Sequence, residues 1–112
     1  MADRLTYKEE RTWGWFERFS LNEPVTVKIL NIKDGHFTSL QRHENREEFW
    51  HILSGNLSII INDTVWNAVA GDQFTVPVGA KHQLKAVGSD AKVLEISRGN
   101  FDENDITRYP NN

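Results

Sequence analysis

The strongest constraint on the fold is a rhythm of short apolar runs broken by turn residues. Val25 to Ile32 (VTVKILNI) alternates apolar and polar residues and meets the turn Lys33-Asp34-Gly35. Phe49 to Leu53 is closed by Ser54-Gly55. Leu57 to Ile61 and Thr64 to Val69 flank Asn62-Asp63, a hairpin signal. Gly71-Asp72 precedes Gln73 to Val76, which stops at Pro77-Val78-Gly79. His82 to Val87 and Lys92 to Ser97 flank Gly88-Ser89-Asp90. Successive side chains of a strand point to opposite faces, so alternation marks a strand with one buried side. No segment carries a long apolar period of the helical kind. At least seven short strands at this spacing predict an all-β sandwich or barrel. The interior of a small barrel has room for one ligand or one metal site.

A chain of 112 residues suits one domain, with enough buried surface to hold a core without disulfides. We expect a single domain over 1–112. Its parts are an N-terminal arm or strands (1–24), a barrel core (25–99) and a polar tail read as coil or a short helical turn (100–112). The absence of cysteine excludes a disulfide scaffold, a zinc–thiolate site, an iron–sulfur cluster and a cysteine nucleophile. The formal charge is −3 and the Lys and Arg residues are scattered, so no nucleic-acid partner is expected. The opening MADRLTYKEERTWGW lacks the apolar core of a secretory signal. No apolar run approaches the roughly 20 residues of a membrane span. A cytoplasmic protein is the expectation. Trp13, Trp15, Phe16 and Phe19 make an aromatic stretch suited to packing, either over the barrel or against a partner subunit.

Chemistry concentrates in SLQRHENREEFW, residues 39–50. Gln41 and His43 are two apart and share a strand face. Glu44-Asn45-Arg46-Glu47 reads as a polar turn. Glu48 then opens a strand whose same-face residues are Trp50 and Ile52, with Phe49, His51 and Leu53 opposite. If the two strands pair across that turn, Gln41, His43 and Glu48 share an interior point. Arg42 and Glu47 alternate away from it. A second cluster, Gly71 to His82, is a strand, a tight Pro/Gly turn and a His opening the next strand, which is a rigid mount for a ligand. Alternation puts His51 outside the barrel. His36, after the Asp34-Gly35 turn, falls near the rim.

The spacing resembles the two motifs of the cupin family. The first motif, Gly-x5-His-x-His-x4-Glu-x6-Gly, is met by Gly35, Gln41, His43, Glu48 and Gly55, with Gln41 in place of the first His. The second, Gly-x5-Pro-x-Gly-x2-His-x3-Asn, is met by Gly71, Pro77, Gly79 and His82, with Ala86 in place of the Asn. Within the cupins, the chain is similar to the cupin domain of type II mannose-6-phosphate (phosphomannose) isomerases along nearly its whole length. Arg11-Thr12-Trp13-Gly14 looks like that family's Arg-Pro-Trp-Gly opening. Ser39-Leu40-Gln41-Arg42-His43 and Arg46-Glu47-Glu48-Phe49-Trp50 look like its Ser-Leu-Gln-x-His-x-x-Arg-x-Glu-His-Trp, with Phe49 for the His. Asn104-Asp105-Ile106-Thr107-Arg108 resembles its closing pattern, which continues Tyr-Gly-Arg where this sequence reads Tyr109-Pro110-Asn111-Asn112.

The resemblance implies a double-stranded β-helix, or jelly-roll barrel. It also implies one divalent metal ion (Zn, Mn, Fe, Ni or Co) held by Gln41, His43, Glu48 and His82. An amide oxygen is a weak neutral ligand, so such a site binds less tightly than one with three His. The implied activity interconverts mannose 6-phosphate and fructose 6-phosphate by metal-assisted proton transfer. Glu48 is the candidate base, provided the metal does not claim it. Lys81 and Arg98 are candidates for a sugar phosphate, with Arg42 and Arg46 also in view, and Trp50 is a wall beside the metal. The resemblance further implies a homodimer. Two alternatives stand beside the isomerase: a non-catalytic cupin that binds a sugar or metabolite, and a cupin dioxygenase.

Overall fold

The computed structural model of the chain describes residues 6–110. The outer ends of the expected arm and tail, 1–5 and 111–112, lie outside the described residues. The described strands are β1 (Tyr7–Arg11), β2 (Gly14–Arg18), β3 (Val25–Ile32), β4 (Leu40–Arg42), β5 (Arg46–Ser54), β6 (Leu57–Ile61), β7 (Thr64–Ala68), β8 (Gln73–Val76), β9 (His82–Ala86), β10 (Ala91–Gly99) and β11 (Thr107–Tyr109). The all-β expectation holds. Among the described residues no helix is long and apolar enough to cross a membrane.

β1 and β2 form a hairpin of their own, and the other strands make two sheets. One has the order β3-β10-β5-β8 and the other β11-β4-β9-β6-β7. From β3 onward the chain crosses to the opposite sheet at every connection except the β6–β7 hairpin, which is the winding of a jelly roll. The Asn62-Asp63 turn closes that hairpin with Asn62 at a φ of 54°, a conformation Asn tolerates well. Gly55 marks a tighter constraint, at a φ of +87°. A Cβ there would lie 2.4 Å from the Asp90 carbonyl oxygen. Only glycine lets the end of β5 pass so close to the start of β10.

The core lies between the inner faces of the two sheets. Ile52 and Val93 from one sheet meet Leu57, Ile59, Leu84 and Ala86 from the other. Each large aliphatic side chain buried this way contributes roughly 1.5–3 kcal/mol relative to exposure. The outer face of the β3-β10-β5-β8 sheet is partly covered by the N-terminal segment. Phe19 packs on Phe49 and His51 at ring-centroid distances of 5.9 and 5.3 Å. Gln73 donates to Glu17 of the hairpin at 3.1 Å.

Three local outcomes differ from the sequence reading. The segment read as a polar turn is shorter, because β5 already begins at Arg46. β4 and β5 do not pair; they belong to opposite sheets. The tail read as coil or helical turn instead returns as β11, which pairs with β4. A free edge on β4 has unpaired N–H and C=O groups, and β11 satisfies them.

Candidate metal centre

Alternation along four strands assembles the site. Glu48, Trp50 and Ile52 descend one face of β5 into the core, and Glu95 and Val93 do the same on β10. Across the interior, His82 and Leu84 descend β9. Gln41 of β4 is the register partner of His82, so both face the same way. His43 follows β4 directly, and its backbone carbonyl accepts from Gly79 N–H at 2.8 Å, tying it to the Pro77-Val78-Gly79 turn that mounts His82. Gln41 and His43 thus face Glu48 across the barrel and not along a hairpin. The meeting survives because the opposed sheets share one interior.

His43, Glu48 and His82 are each 3–4% exposed. One donor atom from each lies within 4.8 Å of the others. His43 Nε2 is 3.3 Å from Glu48 Oε2, and His82 Nε2 is 3.6 Å from Glu48 Oε1. Both rings are turned by backbone carbonyls. His43 Nδ1 donates to the Asp105 carbonyl at 2.7 Å, and His82 Nδ1 donates to the Ala80 carbonyl at 3.0 Å. A carbonyl can only accept, so each Nδ1 carries the proton and each Nε2 lone pair faces the centre, the usual support for a metal-ligating imidazole. His82 Nε2 is buried with no hydrogen-bond partner. Leaving such an atom unsatisfied costs about 1–3 kcal/mol. Two imidazoles and a carboxylate, with one imidazole nitrogen orphaned, fit a divalent cation.

The electrostatics agree. Burial pushes the Glu48 carboxyl up, but His43 and His82 outweigh it and hold it at about 2. Burial pushes His43 down, and the nearby Glu48 carboxylate and the Asp105 carbonyl reverse that, leaving it raised. For His82 burial prevails over the attraction of Glu48, and the imidazole is lowered.

Glu95 was not identified from the sequence, and Arg46 was in view only as a phosphate candidate, not as a neighbour of the ligands. Glu95 is buried beside Glu48, and burial together with the Glu48 charge pushes its carboxyl up to about 7. The Trp50 indole N–H reaches both carboxylates, at 3.2 Å to Glu48 and 3.3 Å to Glu95. The sign of Glu95 in the sequence is its parity with Val93 and Ser97, which puts an acid on the inward face. Arg46 has the same parity as Glu48 and is 7% exposed, although the sequence reading put it in a surface turn. Its Nη2 lies 3.1 Å from His43 Nε2, its Nε 3.5 Å from Glu48 Oε2, and its Nη1 donates to the Asp102 carbonyl.

A cavity of about 230 Å³ opens beside these groups. Gln41, His43, Glu48 and Glu95 line it, as do the cations Lys28, Arg46 and Arg108. Lys81, Arg98 and Trp50 are not among its lining residues. Lys81 lies over the Tyr109 ring. Arg98 is held by Glu23 and the Phe19 carbonyl on the outer face. Trp50 is fully buried behind Glu48, its ring edge-on to His82 with the centroids 5.6 Å apart. His51 packs on Phe19 and accepts from the Gln73 amide on the outer face, and Arg42 pairs with Glu44.

Residues 3–111 match the family described as Mannose-6-phosphate isomerase C-terminal. Mannose-1-phosphate guanylyltransferase 2 of Escherichia coli O157:H7 is 32% identical over 100 residues, which is 88% of this chain and 21% of that protein. The chain spans about a fifth of the length of the curated relatives it matches. A cupin protein from Bacteroides fragilis superposes with a TM-score of 0.63 at 26% identity, over 67% of this chain and 65% of that one. Oxalate decarboxylase from Bacillus subtilis superposes with a TM-score of 0.70 at 23% identity, over 77% of this chain and 24% of that one, a likeness of fold.

Proposed function

The chain belongs to the Mannose-6-phosphate isomerase C-terminal family, and from that membership and the cavity's chemistry we propose that it interconverts mannose 6-phosphate and fructose 6-phosphate with a divalent ion as cofactor. The observation that carries this reading is the convergence of His43, Glu48 and His82 beside a cavity that His43 and Glu48 line together with Lys28, Arg46 and Arg108. In this reading His43, Glu48, His82 and Gln41 hold the ion. When bound, it supplies Lewis-acid polarisation of sugar carbonyl and hydroxyl oxygens.

The chain's own groups do the rest. The basic side chains at the cavity take the phosphate, Arg through paired N–H donors and Lys as a point charge. This role goes to Lys28, Arg46 and Arg108 in place of Lys81 and Arg98, because the former line the cavity. An aldose–ketose interchange moves a proton between adjacent carbons, and its carrier must lie within reach of that proton. Both Glu48 oxygens face the imidazoles, at 3.3 and 3.6 Å, and are committed to the ion in this reading. Glu95 is the neighbouring carboxylate that lines the cavity without touching either, so it carries the proton in this reading. Trp50 holds the two acids in register from behind.

The test is a coupled assay for fructose 6-phosphate with Mn²⁺, Zn²⁺ or Co²⁺ added, alongside metal analysis of the purified chain. Turnover that disappears in Glu95→Gln, with metal content retained, supports the whole reading. Metal retention and sugar-phosphate binding without turnover would leave a binding cupin. Metal content unchanged in both His43→Ala and His82→Ala would remove the centre altogether. Pairing of two copies, implied by the resemblance, is checked by light scattering; the exposed Trp13 and Trp15 of the hairpin support it.

A further inference from the structure

Arg46 is buried, and its guanidinium lies against two of the three donors of the centre, His43 Nε2 at 3.1 Å and Glu48 Oε2 at 3.5 Å. His43 Nδ1 already donates to the Asp105 carbonyl, so Nε2 is the ring's acceptor and Arg46 donates to it. That lone pair is the one a metal ion needs. A guanidinium cannot shed its proton in a protein, so it cannot make way by becoming neutral. A divalent ion between His43 and Glu48 would both lose the His43 lone pair to Arg46 and face a fixed positive charge in a water-poor interior.

We propose that Arg46 competes with a divalent ion for His43 and Glu48, that it must leave them for the ion to bind, and that once displaced it serves the ligand's anionic group. The inference rests on the metal reading above. Three features of Arg46 suit such a move. Its Nε is buried with no hydrogen-bond partner, so the present position is not fully satisfied. Its guanidinium carbon lies 4.4 Å from the centroid of Phe101, a flat surface that tolerates sliding. It also lines the cavity, where Lys28 and Arg108 are the other cations. The Glu48 carboxylate exchanges one cation for another, so it is never left buried and unpaired, which would be strongly destabilising.

A consequence is coupling. An anion that draws Arg46 into the cavity removes the competitor for His43, so it tightens metal binding, and by linkage the metal tightens anion binding equally. Arg46 is here a positioning residue, and its readout is binding, not turnover.

Isothermal titration of Zn²⁺ and of Mn²⁺ into the metal-free chain tests this, with and without inorganic phosphate. Arg46→Met should bind metal about tenfold tighter than the wild type. Its metal-free form should melt lower, and phosphate should tighten metal binding in the wild type but not in this variant. Arg46→Lys keeps the charge without the fork; it should fold even if the Met variant does not, bind metal more tightly than the wild type, and keep the phosphate effect. Wild-type binding with equal or weaker affinity in the folded variants overturns this inference and leaves the metal centre standing. No binding of either ion by the wild type overturns both.

Discussion

The N-terminal hairpin and the C-terminal tail make an instructive pair. The hairpin is rich in aromatic residues, yet it stays outside the barrel. Trp13 is 71% exposed. Lys8 covers Trp15 and Arg18 covers Tyr7, so its rings are served by its own charges. The tail is polar, yet it enters the centre. The Asp105 carbonyl orients His43, and its carboxylate accepts the N–H groups of Glu44 and Asn45, both at 2.9 Å. The Asp102 carbonyl takes Arg46, and Phe101 lies beside both Arg46 and Lys28. Apolar content governs how much surface a segment can bury. Aiming a ligand depends on backbone carbonyls and carboxylates, which a polar segment supplies.

The largest effect expected from breaking this contrast is at Asp105. Asp105→Ala keeps the carbonyl that orients His43 but removes the carboxylate that holds Glu44 and Asn45, so the loop carrying His43 loosens and metal affinity should fall about 10-fold, the low end of the range for an outer support. Trp15→Ala in the hairpin should leave metal affinity unchanged. Titration of the two variants with Zn²⁺ compares them directly, and equal losses would erase the distinction between the segments.

Next is Gly99, where β10 hands over to the tail. Its φ is +113°, and a Cβ would lie 2.5 Å from the Asn45 carbonyl oxygen. Gly99→Ala therefore strains the backbone and pushes on the start of β5, where Arg46 begins. A loss of about 1–3 kcal/mol is expected in thermal or denaturant unfolding. Gly14 of the hairpin has a φ of +140° but open space around it. Gly14→Ala should cost less, from backbone strain alone.

Much of this was legible in the sequence, and the reasons are specific. β3 and β8 were bounded as found, because a half-buried strand shows in period-two alternation and Gly or Pro marks its end. Gln41, His43, Glu48 and His82 were brought together by the spacing of two motifs. Arg46 was in view as a phosphate candidate, but its burial was missed because a charged residue next to Glu44-Asn45 reads as part of a solvated turn. Its burial depends on Phe101 and Asp102, more than fifty residues away in the chain. Glu95 was missed because its burial needs Trp50 and Glu48 from another strand. Pairing of β11 with β4 left no mark in the tail, since three residues are too few to show a period. Local pattern reports strands and turns. Which polar groups a fold draws inward is decided by partners distant in sequence.

Phe101 offers a smaller perturbation. Removing its ring takes a surface from beneath two cations, the Arg46 guanidinium at 4.4 Å and the Lys28 ammonium at 4.5 Å. Phe101→Ala should cost about 0.5–2 kcal/mol in unfolding free energy. Phe101→Leu, which keeps apolar volume but no π face, should recover part of it. Full recovery in the Leu variant would mean that Phe101 acts by packing alone.

The weakest effect belongs to the hairpin's own tether. Glu17 accepts from the Thr6 hydroxyl at 2.8 Å and from the Gln73 amide at 3.1 Å. The Thr6 bond, aided by the Gln73 bond and the nearby His51 and Lys8, holds its carboxyl below the usual 4.5. A carboxylate with a depressed value in the folded chain stabilises the fold above the unfolded value of 4.5, and that contribution disappears as pH falls through the lower, folded value. Acid should therefore loosen the hairpin from β8 before it disturbs the barrel. The Gln73 side-chain amide signals should shift as pH is lowered through this window, while the amide of Ile52 in the core stays fixed. Glu17→Gln should abolish the shift. Because Glu17 is well solvated, the accompanying change in global stability should be small, as for surface charge contacts in general. If Gln73 titrates identically in the Glu17→Gln chain, some other contact anchors the hairpin, and its separateness from the barrel is greater than the Glu17–Gln73 bond suggests.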